Sequence, residues 1–334
     1  MTTTDKKGYK VLIPTAGTGS RLKELTKYLN KSLVDISGKP AISRIIDMFP
    51  KECEFIVPLG YKGELVEQFL KLAYPERKFY FTFVKKYEGK GSGLGLTLLS
   101  AEKYLQEPFV FCSCDTIAEG EICYPNRNII GYASKENKNL YRTLDIKNGK
   151  VISLLEKGEA TNTSMPYIGL AFIKDWEIFW REMHKGGSEA VKLGESYPLR
   201  KFVENGILFS KEYKWFDTGN IDELEKTRKY FKKNNAPNIL PKQDEAIWFI
   251  EGKVIKYSNN KSFIKERVER AKYLKDFVPQ IINSTDNMYI YKEAQGEVLS
   301  KIQNIELFKK LLIYSKTFWK PINKSIDFQK ICKK

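Results

Sequence analysis

Histidine is almost missing from this chain: His184 is the single one among 334 residues. That nearly excludes histidine-based acid–base chemistry and His-rich metal sites. Cysteine is sparse as well. The five (Cys53, Cys112, Cys114, Cys123, Cys332) are an odd number spread over the whole length, which argues against a disulfide scaffold and for a reducing compartment. Cys112 and Cys114 form a short Cys-x-Cys, but no second pair accompanies them, so zinc is not supported. No apolar run approaches the ~18 residues that span a bilayer. Residues 1–10 lack the apolar centre of a signal peptide. These absences point to a cytoplasmic protein without a membrane partner. Acidic residues are also short: 41 against 57 basic ones, a net charge of +16. Such an excess suits anionic partners. The lysines are scattered, however, and no basic stripe interleaves with stacking aromatics, so the excess reads as solvated surface and not as a nucleic-acid footprint.

What is present is an ordinary globular composition, 42% apolar and 29% charged, long enough for about two domains at ~150 residues each. The first part alternates short apolar runs with helical spacing. Residues 9–14 (YKVLIP), 54–58, 79–84 and 108–112 read as strands; 41–49, 65–72 and 94–104 read as helices. This order predicts an α/β fold, a Rossmann-like three-layer α/β/α arrangement around a mostly parallel sheet. Ligands in such sheets bind beyond the carboxyl ends of the strands, here the loops after Pro14, Val84 and Cys112. Past Asn128 the pattern changes. Strands are expected at 141–146, 151–155 and 167–173, with the turn Asn148-Gly149 between the first two, and helices at 176–183 and 221–233. Residues 234–242 (NNAPNILPK) hold two prolines and no periodicity, and read as a linker. It separates a domain of residues 1–233 from a smaller α+β part, 243–334.

The first strand runs into Ala16-Gly17-Thr18-Gly19-Ser20-Arg21-Leu22. Small residues let backbone N–H groups approach a phosphate, and a cation adds charge. A dinucleotide fingerprint would need a third glycine where Leu22 stands and an acid at the end of the second strand, which ends in Pro58. A P-loop would need Gly-Lys-Ser/Thr. Asp115, at the end of the fourth strand, is well placed for Mg²⁺, which takes oxygen ligands together with substrate phosphates.

Together with Lys31 in Asn30-Lys31-Ser32 and the following Gly38-Lys39-Pro40, this opening resembles the nucleoside-triphosphate transferase family: sugar-phosphate nucleotidylyltransferases and their cytidylyltransferase relatives. Ser20 and Asn30 depart from the usual Thr and Pro. Asn30 points to the branch that activates phosphorylated alcohols with CTP and is often fused to a kinase-like domain. The resemblance implies Arg21 and Lys31 as catalytic cations. It implies nucleotide binding by Ala16, Gly17, Thr18, Gly19 and Ser20 and by the turn Gly91-Ser92-Gly93. It assigns Glu156, Lys157 and Gly169 to the second substrate. Asp115 and Asp217, the latter in Trp215-Phe216-Asp217-Thr218-Gly219, are implied as Mg²⁺ ligands. The expected activity is Mg²⁺-dependent transfer from an NTP, CTP favoured, to a phosphorylated polyol, alcohol, amino alcohol or sugar. Pyrophosphate is released, and the product is a CDP-activated precursor of the kind used in surface polysaccharide or capsule decoration. The alternatives are an NDP-sugar pyrophosphorylase using UTP or dTTP, or a metal-dependent glycosyltransferase, which would want Asp-x-Asp where this chain has Asp115 and Ile117. A homo-oligomer is compatible with either reading.

The tail resembles the small lobe of choline and aminoglycoside kinases. Lys256 would be the strand lysine and Glu266 or Glu269 its helix partner. No histidine follows the linker, so the resemblance implies a partial lobe without phosphotransfer activity. Its apolar Trp248, Phe249 and Ile250 should pack on the first domain or on a neighbouring chain.

Overall fold

The computed structural model describes residues 8–232, 239–240, 242–296, 302 and 304–317. Most of the 234–242 linker lies outside the described residues, as does Cys332. The chain opens with four strands, β1 (Lys10–Leu12), β2 (Glu54–Leu59), β3 (Lys78–Phe83) and β4 (Phe109–Cys112). Helices α1 (Ala41–Ile46), α2 (Gly63–Ala73) and α3 (Leu94–Ala101) cross between them. All pairings within this group are parallel.

The next part adds β5 (Thr116–Glu119), β6 (Ile129–Tyr132), β7 (Thr143–Lys147), β8 (Lys150–Leu155), β9 (Met165–Ile173), β10 (Phe209–Glu212) and β11 (Lys214–Asp217). Helices α4 (Trp176–Leu193), α5 (Ser196–Glu204) and α6 (Ile221–Phe231) lie among them. Nine strands form one sheet in the order β3-β2-β1-β4-β9-β6-β10-β8-β7. The expectation of a mostly parallel sheet holds for the first four strands only. β9 runs antiparallel to β4, β6 and β7, and β8 antiparallel to β7 and β10; only β10 with β6 is parallel again. One of these reversals is local: Asn148 and Gly149 both take left-handed φ, 51° and 74°, and this two-residue turn pairs β7 with β8 at once.

The sheet has a core on each face. Along β1, β2 and β4, alternate residues fall into different clusters, as period-2 geometry requires. Val11, Phe55 and Val110 face one side; Leu12, Ile56 and Phe111 face the other. The second side is covered by Leu98 of α3, Phe179 and Trp180 of α4, and Phe202 of α5. The first is covered by α1 and α2, and the C-terminal lobe joins the same core through α2.

That lobe is a four-stranded antiparallel sheet, β12 (Glu245–Ile250), β13 (Lys253–Ser258), β14 (Ile281–Ser284) and β15 (Met288–Lys292), in the order β12-β13-β15-β14, with helix α7 (Lys261–Leu274). Trp248 and Tyr257 are wholly buried in the same cluster as Val11 and Phe69. The Trp248 ring meets Phe69 edge-on at 5.1 Å. The tail therefore packs on the first domain. The Lys256 ammonium lies 3.5 Å from Glu245 on the neighbouring strand, whereas Glu269 pairs with Lys272 on its own helix. The lysine–helix glutamate pair expected of a kinase lobe is not formed through Glu269. No helix among the described residues is long and apolar enough to cross a membrane.

Candidate active site

A cleft of about 400 Å³ opens at the carboxyl ends of β1 and β4, the place the parallel half of the sheet dictates. The loop after β1 brings in Ala16, Gly17 and Arg21, and the segment after it Lys31. Lys31 begins a short 3-10 turn whose cap is Asn30. The Asn30 Oδ1 accepts from the Ser32 N–H and hydroxyl, while its amide donates to the carbonyls of Thr15 (2.9 Å) and Tyr61 (2.6 Å). A wholly buried Asn30 with every polar atom engaged locks the backbone that carries Lys31. Gly19 serves the same end. It takes a left-handed φ of 69°, and a Cβ there would sit 2.7 Å from the Lys31 Cβ, so only glycine lets the loop cross so close.

Asp115 follows β4. The Lys31 Nζ lies 3.1 Å from its Oδ2, and Arg21 lies 3.7 Å from the same oxygen. The Ser113 hydroxyl donates to Oδ1 at 2.5 Å. Burial is the largest effect on the Asp115 carboxyl and would raise it, but Lys31, the Ser113 hydroxyl and Arg21 together hold it at about 2. Burial would likewise lower the Lys31 ammonium, and Asp115 and Cys114 together hold it above its ordinary value.

The second carboxylate is 102 residues away in sequence (217 − 115) and adjacent in space. β11 pairs antiparallel with β5 in a two-stranded ribbon whose register sets Asp217 opposite Thr116. The Thr218 N–H then donates to the Asp115 carbonyl at 3.0 Å. Asp217 Oδ2 accepts from the Tyr141 hydroxyl at 2.9 Å and Oδ1 from the Gly219 N–H at 2.7 Å. It does not cap the following helix; Asn220 does. Burial first, and then the charge of Asp115, push the Asp217 carboxyl up. A Cβ built on Gly219 would lie 3.0 Å from Asp115 Oδ2, 3.1 Å from Asp217 Oδ1 and 3.2 Å from Arg21. Glycine thus leaves open a small space that both acids face. Two converging carboxylates, one already raised by the other, fit a divalent cation that would relieve their repulsion. Among the described residues no group of three or more Asp, Glu, His or Cys could hold a metal, so such an ion would take its remaining ligands from substrate phosphates and water.

The opposite wall carries Tyr141, Arg142, Tyr167, Glu195 and Trp215. On this wall the buried Tyr167 hydroxyl and Glu195 carboxyl interact with each other, and the buried Trp215 Nε1 has no hydrogen-bond partner among the described residues. Burial raises the Glu195 carboxyl, with Arg142 opposing. Lys135 stacks over Trp215 at 4.4 Å and pairs with Glu223 at 2.5 Å, backing this wall from outside.

No family model matches the chain. Over 235 residues it is 27% identical to the bifunctional protein GlmU of Methanococcus vannielii, covering 67% of this chain and 55% of that protein. Over 110 residues it is 30% identical to the UTP–glucose-1-phosphate uridylyltransferase AglF of Haloferax volcanii, covering 32% of this chain and 44% of that one. Among solved structures, CTP:phosphocholine cytidylyltransferase of Streptococcus pneumoniae matches with a TM-score of 0.58 at 19% identity, covering 67% of this chain and 100% of that one.

The chain is thus similar in sequence to a uridylyltransferase and in fold to a cytidylyltransferase. It spans about half the length of the relatives it matches.

The residues singled out in the sequence do not all meet. Ala16, Gly17, Arg21, Lys31, Ser92, Gly93, Asp115, Lys157, Gly169 and Asp217 line the cleft. Thr18, Gly19, Ser20 and Gly91 do not line it, and Gly19 shapes the loop from behind. Glu156 departs most from expectation. It accepts from the Arg142 Nε at 3.1 Å on both oxygens and pairs with Arg200. Its charge is thereby committed to orienting Arg142, and Arg142 is what reaches the cleft. Lys157 sits near Arg21 and Arg142, and desolvation first, then those two cations, lower its ammonium. Tyr141, Arg142 and Glu195 escaped the sequence reading. Glu195 lies in a Gly-Glu-Ser turn between two helices, where no local pattern marks it.

Proposed function

We propose that this chain catalyses nucleotidylyl transfer from an NTP to a phosphorylated small molecule, releasing pyrophosphate. The observation that carries this reading is the convergence of Arg21, Lys31, Asp115 and Asp217 on one point at the strand ends. An oxygen of the acceptor phosphate attacks the α-phosphorus in line, and the bond to the leaving pyrophosphate breaks. No covalent intermediate with the protein is needed; positioning and charge stabilisation suffice. Arg21, with its side chain 60% exposed, is free to swing onto the triphosphate and offset charge on the pyrophosphate. Lys31, held by Asn30, bridges the α-phosphate and the attacking phosphate. Asp115 and Asp217 would hold Mg²⁺, which when bound neutralises phosphate charge and polarises the α-phosphorus. Ala16, Gly17 and the Ser92-Gly93 turn hold the nucleotide. Lys157 and Gly169 flank the acceptor, and Glu195 takes the acceptor-facing role that the resemblance gave to Glu156. The product is an NDP-activated compound, CDP with CTP as donor.

CTP is favoured because Asn30 stands before the lysine where the resemblance to sugar-phosphate nucleotidylyltransferases would put proline; the fold itself is shared by a cytidylyltransferase and by UDP-glucose pyrophosphorylases alike. UTP is the second reading, since the related AglF is named for UTP and glucose 1-phosphate. The test is a grid of four NTPs against phosphorylated acceptors, choline, polyol and sugar phosphates included, read by pyrophosphate release. Release with CTP and one acceptor is expected. Release of a nucleoside diphosphate instead would overturn the reaction class.

A further inference from the structure

The catalytic lysine sits on an irregular segment. Between the two 3-10 turns at Ser20–Thr26 and Lys31–Leu33 the chain has no regular hydrogen bonding of its own. Its backbone carbonyls must therefore find partners elsewhere. Three consecutive ones do so through side chains from outside the segment. The Tyr61 hydroxyl donates to the Thr26 carbonyl at 3.1 Å, and the Lys62 ammonium donates to the Lys27 carbonyl. The third donor comes from the other end of the chain: the Tyr257 hydroxyl, on β13 of the C-terminal lobe, donates to the Tyr28 carbonyl at 2.6 Å. Tyr257 is wholly buried. Its ring shares a core with Leu29 and Leu33, which flank Lys31 on either side. Close by, the Phe249 N–H of β12 donates to the Gly38 carbonyl at 2.8 Å. The lobe thus grips both ends of the stretch from Tyr28 to Gly38, with Lys31 between.

We propose that the C-terminal lobe is a working part of the active site, with Tyr257 a positioning residue that holds Lys31 in register through the Tyr28 carbonyl. The kinetic part of this proposal rests on the transferase reading above; the structural part does not. Tyr257 touches no substrate. Its effect passes through three residues of backbone to an ammonium that Asp115 holds at 3.1 Å, so loosening the tether lets Lys31 settle on Asp115 alone and leave the bridging position. Shifts below 1 Å are enough to weaken a positioned charge.

The experiment uses the full chain with Tyr257→Phe, which keeps the ring and removes the hydroxyl. Hydrogen exchange of the amides from 28 to 33 should quicken about tenfold, the size set by one buried hydrogen bond, while amides of β2 stay unchanged. kcat should fall about tenfold with KM for the NTP held within about twofold. Placed on Lys31→Ala, the same change should cost nothing further, because both act through one group. Unchanged exchange and kcat, or a fully additive loss on Lys31→Ala, would overturn the proposal. If the wild-type chain releases no pyrophosphate with any NTP, the transferase reading fails while exchange still decides the tether. Should Tyr257→Phe not fold, the wild-type chain decides it. Protection of amides 28–33 at the level of β13 supports the tether, and exchange at the rate of an unstructured loop refutes it.

Discussion

The two walls of the cleft are built on opposite principles. On the wall of Arg21, Lys31 and Asp115 every charge has a partner, and Asn30 behind them satisfies all its polar atoms. On the other wall the Tyr167 hydroxyl and the Glu195 carboxyl have chiefly each other, and Trp215 Nε1 has no partner among the described residues. On the proposed transferase reading, the first wall serves the chemistry, which gains from charges fixed before the substrate arrives, and the second serves recognition of the acceptor. Asp217 stands between. Its oxygens are engaged by Tyr141 and Gly219, yet its carboxyl is pushed up by burial and by Asp115.

The sharpest way to break this comparison is at the acids. Asp115→Asn and Asp217→Asn should each lower turnover at ordinary Mg²⁺ by ~10³-fold or more, since an amide keeps the shape and loses the anionic ligand. Pyrophosphate release across a Mg²⁺ titration checks it. A full rate with unchanged Mg²⁺ dependence in Asp217→Asn would leave that residue as a turn element only. Lys31→Ala should fold and lose ~10²-fold in kcat, the usual worth of a preorganised charge at the reacting centre; near-native turnover in a folded variant would remove Lys31 from the mechanism. On the other wall, Glu195→Gln should raise KM for the acceptor by ~10-fold while KM for the NTP and kcat stay close to wild type. If kcat falls instead, Glu195 belongs with the chemistry and the division between the walls is wrong.

The smallest effect is in the pH dependence. Asp217 has its carboxyl raised, so it is the first of the pair to take a proton as pH falls, and Asp115 stays ionised to about pH 2. The acid limb of activity should therefore follow Asp217 and move to lower pH as Mg²⁺ is raised, because the ion competes with that proton. Asp115 has the opposite linkage. Its folded value lies below the ordinary 3.8, so its contribution to stability is complete above that pH and is lost as pH falls toward 2. Thermal unfolding of wild type and Asp115→Asn across that window reads the difference.

Much of the first domain was legible because its signals are local. Runs such as Phe109-Val110-Phe111-Cys112, buried on both faces, announce central strands, and Asn148-Gly149 announces a reversal. The equally short strands β5, β6, β10 and β11 went unread, since polar residues or a glycine break the apolar run that made β4 stand out. In the cleft, Arg21, Lys31 and Asp115 were legible because each lies in or beside a motif tied to a strand end. The pairing of Glu156 was not legible: its motif marks a position in the chain, whereas its ion pairs are made by Arg142, just before β7, and Arg200 of α5.

The amino-acid sequence by itself determined the alternation of strands and helices, the glycine loop after β1 and the identity of the two acids, because each depends on neighbours within a few residues. Only the tertiary structure decided that Asp115 and Asp217 share one space, that Glu195 lines the cleft while Glu156 pairs with Arg142 and Arg200, and that Tyr257 reaches back across 229 residues to the Tyr28 carbonyl. Those are outcomes of strand register and of a core shared between two ends of the chain. They arise when distant backbone groups that cannot be left unpaired out of water find one another, and no short stretch of residues encodes that meeting.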